Sequence, residues 1–124
     1  MEKYSFEKLA VWQDSRVMIK KLYLLTSSFP ENEKFGLVNQ MRRAAISIAS
    51  NLAEGSSRTS TKDQAHFYQI VYSSAMELLN QLIISYDLQI IKESQYTDIR
   101  TDIESITYKI NALRKAILNK VEKS

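Results

Sequence analysis

A chain of 124 residues can bury about 68% of its unfolded surface, enough for one core without a disulfide or metal staple. With no cysteine, disulfides, thiolate nucleophiles and thiolate metal sites are all excluded, which fits a reducing compartment. Two glycines and one proline are too few for the frequent turns of an all-β domain, and a net charge of +3 permits a polyanionic partner without demanding one.

The N-terminal residues Met1 to Lys8 contain no apolar run, so no signal peptide is expected. No stretch is long and apolar enough to span a membrane, and a cytoplasmic protein is expected. Pro30 ends the first element. Before it, Val11, Met18, Leu22, Leu25 and Phe29 recur at steps of three, four or seven, widened by Trp12, Ile19 and Tyr23. This periodicity predicts helix A over about residues 8–28. Asn32 is the expected N-cap of helix B, placed at about 33–54, with Leu37, Met41, Ala44, Ile48 and Leu52 as its seam. Ala44, Ala45, Ser47, Ala49, Ser50 and Ala53 are small enough to admit a neighbouring backbone. Gly55 is placed just past the helix end, where a left-handed conformation suits glycine.

The clearest joint is Ser56-Ser57-Arg58-Thr59-Ser60. Ser60 with Asp63 reads as a capping pair opening helix C, about 61–88. Phe67, Val71, Ser74, Leu78 and Leu82 form one stripe along it; Tyr68, Tyr72, Leu79, Ile83 and Tyr86 form a second. Helix D, about 94–122 with Ser94 as cap, has a narrow seam: Tyr96, Ile99, Ile103, Ile106, Ile110, Leu113, Ile117 and Val121. Joints of about five residues make successive helices antiparallel neighbours. The expectation is one all-α domain over 1–124, an antiparallel up-down-up-down four-helix bundle. The doubled stripe of helix C predicts a homo-oligomer with Tyr68, Tyr72, Leu79, Ile83 and Tyr86 at the interface. The alternative is that helix C turns to bury both stripes in part.

Little in the chain resembles catalytic chemistry. Asp63-Gln64-Ala65-His66 has metal-ligand spacing, but His66 is the sole histidine, so neither a di-iron site nor a Ser–His pair is expected. No glycine-rich phosphate loop or nucleophile elbow occurs. The expected protein is non-enzymatic and binds no cofactor or metal. Its basic residues are the candidate site: Arg16 and Lys20 on helix A, Arg42 and Arg43 on helix B, Arg58 and Lys62 at the B–C joint. Arginine grips phosphate bidentately, and the start of helix C adds free N–H groups. The competing reading pairs Arg58 with Glu54 or Asp63. A buried Arg43–Glu77 pair is a further expectation.

The segments Phe6-Glu7-Lys8-Leu9-Ala10-Val11-Trp12-Gln13, Phe29-Pro30, Phe35-Gly36-Leu37, Gln40-Met41-Arg42-Arg43-Ala44-Ala45 and Asn51-Leu52-Ala53-Glu54-Gly55-Ser56-Ser57-Arg58 carry a resemblance, continued by Phe67 and Ser73-x-x-x-Glu77-Leu78. They resemble the bacterial four-helix bundle proteins encoded in intervening sequences of 23S ribosomal RNA genes, also called ribosomal-protein-like. Trp12, Gln40, Asn51, Glu54, Gly55 and Glu77 are its signature positions, while helix D enters only by its periodicity. The resemblance implies a homopentamer. It extends to the accessory proteins of diversity-generating retroelements, basic pentameric bundles that bind nucleic acid and the reverse transcriptase. It implies no catalytic residues. Two functions follow: a nucleic-acid-binding oligomer, with RNA or another structured nucleic acid as the expected partner, or an oligomeric scaffold for a protein partner with no nucleic-acid role.

Overall fold

The computed structural model describes residues 1–123, and side chains through Lys120, so Val121 of the expected helix D seam lies outside the described side chains. Four helices make up the fold: α1 (Ala10–Thr26), α2 (Asn39–Ser57), α3 (Thr61–Asp87) and α4 (Glu93–Lys123). Among the described residues there is no strand, and no helix is long and apolar enough to cross a membrane.

The expected seams are the core. Met18, Leu22, Met41, Ile48, Leu52, Val71, Leu78, Leu82, Ile103, Ile106 and Ile110 are fully buried. Four boundaries differ from expectation. A 3-10 turn, Ser5–Lys8, precedes α1 and folds Phe6 edge-on against Trp12, with ring centroids 4.9 Å apart. Asn32 caps nothing: it lies in a 3-10 turn, Glu31–Glu33, followed by a π-helical turn, Lys34–Val38, that runs directly into α2. Ser94 is inside α4. Lys92 takes the cap position, its carbonyl accepting from Tyr96 N–H at 2.9 Å while Gln95 Oε1 accepts from its N–H at 2.9 Å.

Gly55 does not end α2. The helix continues to Ser57, and neither glycine has positive φ. Glycine is needed there for closeness. A Cβ at position 55 would sit 2.7 Å from Tyr68 Cε1 and 3.0 Å from Phe67 Cβ. The small residues of α2 thus bring it against α3, as Ser47 Oγ, 2.8 Å from Ser74 Oγ, also records. Asn51 Nδ2 donates to the Ser47 carbonyl at 2.9 Å and to its hydroxyl at 3.0 Å, extending this polar clasp. Ser60 caps α3 as expected, its hydroxyl accepting from Asp63 N–H at 3.1 Å.

α3 ends in a Schellman turn. Ile90 N–H reaches the Ser85 carbonyl at 3.0 Å and Gln89 N–H reaches Tyr86 at 2.9 Å, with Gln89 left-handed at φ 60°. Opposite α3, α1 is tied to α4. Lys21 Nζ lies 3.0 Å from both Asp98 and Asp102, and Lys109 reaches Asp14. The two aspartates hold the Lys21 ammonium above its usual pKa.

Candidate nucleic-acid interface

The six expected basic residues do not converge. Arg42 is committed to the fold: its Nε donates to Thr26 Oγ1 at 2.9 Å, its Nη2 to the Tyr23 carbonyl at 3.2 Å, and its guanidinium lies 4.4 Å from the Tyr23 ring centre. It ties the start of α2 to the last turn of α1, and a phosphate would have to displace those contacts. Arg58 follows the competing reading. It pairs with Glu54 at 3.1 Å and lies 4.6 Å from the Phe67 ring centre. An exposed pair of this kind contributes under about 1 kcal/mol, yet it offsets the charge a phosphate needs. Arg16 lies 5.4 Å from the Trp12 ring centre. Lys20, Arg43 and Lys62 are exposed and make no ion pair among the described residues. The Arg42–Thr26 bond puts Arg43 at the end of the fold where α1 finishes, whereas Lys62 opens α3 at the other.

A second group of bases was missed. Between Glu104 and Glu122 there is no acidic residue, while Lys109, Arg114, Lys115 and Lys120 fall in that stretch. Arg114 bonds to the neutral Gln69 and lies 4.9 Å from the Tyr72 ring centre, so its charge is not offset. Lys115 and Lys120 are exposed. The Arg114–Gln69 contact sets this half of α4 beside the first turns of α3, the end that carries Arg58 and Lys62. The acid-free run is the sequence signal for this group, and it overlaps the apolar seam of α4.

The expected oligomer interface on α3 is largely used within the chain. Tyr68 is 3% exposed against Gly55, and burial pushes its phenol pKa up. It belongs to the core and cannot line a surface. Tyr72 is half-buried beneath Arg114, Leu79 packs on the core, Ile83 is half-buried, and Tyr86 stacks on Tyr96 with ring centres 4.7 Å apart. Ser74 and Tyr68 meet α2 at Ser47 and Gly55, while Tyr72 and Tyr86 meet α4 at Arg114 and Tyr96, so the doubled stripe is spent between two neighbouring helices. The Arg43–Glu77 expectation is corrected as well. Both are exposed and line one open groove without forming an ion pair among the described residues. His66 is exposed, edge-on to Phe67.

The model of the 23S rRNA-intervening sequence protein family matches residues 7–112. The chain belongs to that family. Among solved structures it is similar to a protein of unknown function from the S23 ribosomal protein family of Bacteroides thetaiotaomicron, at 23% identity and a TM-score of 0.77, covering 85% of this chain and 95% of that one. At that identity the likeness is one of fold. No curated protein matches.

Within this intervening-sequence protein the signature residues divide by their employment. Trp12, Glu54 and Gly55 each have a packing or hydrogen-bonding partner that joins elements or stiffens a helix end, and Asn51 bonds to Ser47 one turn earlier in α2. Gln40 and Glu77 have no such partner; together with Arg43 they line the groove between α2 and α3. Arg114, Lys115 and Lys120 lie beyond the matched span and are read from this chain alone.

Proposed function

We propose that this intervening-sequence protein is a non-enzymatic, cytoplasmic, antiparallel up-down-up-down bundle that self-associates, as a homopentamer, and binds RNA through basic surfaces. The observation that carries the nucleic-acid reading is the acid-free stretch of α4 between Glu104 and Glu122, where Arg114, Lys115 and Lys120 stand at the same end as Lys62. Repetition of that end in an oligomer multiplies its field. Backbone contacts from Lys and Arg position a strand and carry little sequence information. The pairing of Ser47 with Ser74, Gly55 with Tyr68, and Gln69 with Arg114 supports the antiparallel order.

The test is RNA titration at two salt concentrations with solution mass by light scattering. Affinity is expected to fall with salt at a log–log slope of roughly 0.7 to 0.9 per phosphate contacted. A monomer that ignores RNA at low salt refutes both halves of the reading. A second reading, a scaffold for a protein partner, is favoured by one feature. Tyr23, Leu24, Phe35, Ile84, Tyr86 and Leu88 are all exposed around the α1–α2 and α3–α4 joints, the end opposite the basic one. A partner captured there that survives nuclease treatment would favour it.

A further inference from the structure

The groove between α2 and α3 is an open, polar cavity of about 430 Å³ lined by Phe35, Asn39, Gln40, Arg43, Ser47 and Glu77. Apart from Ser47, which is clasped to Ser74 and Asn51, its polar side chains are little used. Among the described residues Gln40 and Arg43 make no side-chain hydrogen bond, and Glu77 accepts one long bond, from Gln81 Nε2 at 3.4 Å. Gln81 is itself buried, and its Oε1 has no partner among the described residues. At the rim, the π-helical turn holds Phe35 87% exposed, with Lys34 Nζ 5.8 Å from its ring centre. Turns of this type recur at functional sites.

We propose that this groove takes one unstacked guanine base of single-stranded RNA; the proposal rests on the nucleic-acid reading for the class of its ligand. Single-stranded RNA is read by stacking splayed bases on aromatic rings and hydrogen-bonding their edges. Phe35 supplies the ring. A carboxylate is an acceptor with two oxygens and favours a pair of adjacent donors. Guanine alone among the RNA bases has two neighbouring donors, N1–H and the N2 amino group, on its Watson–Crick edge. Glu77 matches that edge, the Gln40 amide supplies a donor for O6, and Arg43 and Lys34 carry the charge for the flanking phosphates. An apolar side chain from another protein would instead desolvate Arg43, Glu77 and Gln40 without partners, which is costly.

The experiment uses the full chain and two labelled twelve-residue RNAs, oligouridylate and the same strand with one central guanosine. Fluorescence anisotropy at about 50 mM salt is expected to show the guanosine strand binding about tenfold tighter. Glu77→Gln should close that gap, and Phe35→Ala should weaken the guanosine strand by about tenfold. Equal binding of both strands by the unaltered protein overturns the groove while the RNA reading stands. Binding of neither strand brings down the RNA reading and this one with it. A changed solution mass in either variant, with circular dichroism intact, makes the groove a contact between copies and overturns the proposal.

Discussion

Substituting Gly55 by alanine tests the close approach of α2 and α3 directly. In an exposed helix interior the change would stabilise by about 1 kcal/mol, because alanine is the best helix former and glycine among the poorest. Here the new methyl would lie 2.7 Å from Tyr68 Cε1, 3.0 Å from Phe67 Cβ and 3.1 Å from Tyr68 Cδ1. Carbon atoms rest at about 3.5–4.0 Å, so overlap approaches 1 Å. Tyr68 is in the core and Phe67 Cβ is fixed to the α3 backbone, so neither yields without moving the helix. Overpacking of this kind costs about 1–3 kcal/mol, and the tightness of this site argues for the upper part of that range.

The propensity gain offsets part of that cost, leaving a net loss of about 1–2 kcal/mol. For a chain of this length that lowers Tm by roughly 5 °C or more, measured by thermal melts followed by circular dichroism. In a Tyr68→Leu background the same substitution should cost less, since the two positions touch and couple. Gly36→Ala is the comparison: its Cβ would find only Glu33 oxygens at 3.8 Å and 3.9 Å, so it should be neutral or mildly stabilising. A Gly55→Ala protein with a raised Tm would refute the close approach.

Gln89→Gly should stabilise by about 0.5–1 kcal/mol, read as a rise in melting temperature, because the left-handed position after α3 holds a side chain that favours other conformations. Arg42→Ala should cost about 1–2 kcal/mol in chemical denaturation through its lost bonds to Thr26 and Tyr23 while leaving RNA affinity unchanged. Lys115→Gln with Lys120→Gln should do the reverse, lowering the salt slope with no change in Tm. The folded pKa values of Tyr68 and Lys21 both stand above their ordinary values of 10.0 and 10.5, so the stability each contributes is full below those values and is lost as pH rises through the raised ones. Melting temperature should therefore fall above about pH 10, and less steeply in Tyr68→Phe.

Helices α3 and α4 were legible to within a residue or so because their apolar steps persist over many turns. The start of α2 was not: the π-helical turn at Lys34–Val38 keeps a nearly helical apolar rhythm, so periodicity runs through it unchanged. Gly55 was misread because a glycine at a helix end and a glycine at a helix contact look alike in one dimension. Arg42 and Arg58 show the same limit for the site. Arginine beside serines reads as a phosphate ligand, and only the approach of Thr26, Tyr23 and Phe67 shows where each guanidinium is spent.

The charge order along α4 has a purely structural explanation to be met. Acids at a helix N-terminus and bases at its C-terminus complement the backbone dipole. Glu93 and Lys120 fit that account. The dipole, however, acts mainly within the first and last turn. Lys109, Arg114 and Lys115 stand two or more turns before the end of α4 at Lys123. Lys109 is balanced by Asp14, but Arg114 meets only Gln69 and Tyr72, and Lys115 is exposed. Uncompensated bases on a mildly basic chain oppose folding slightly through mutual repulsion. A dipole therefore accounts for the last turn of α4 and leaves the placement of Arg114 and Lys115 to another cause, for which the proposed RNA contact is the reading tested by the Lys115→Gln, Lys120→Gln variant.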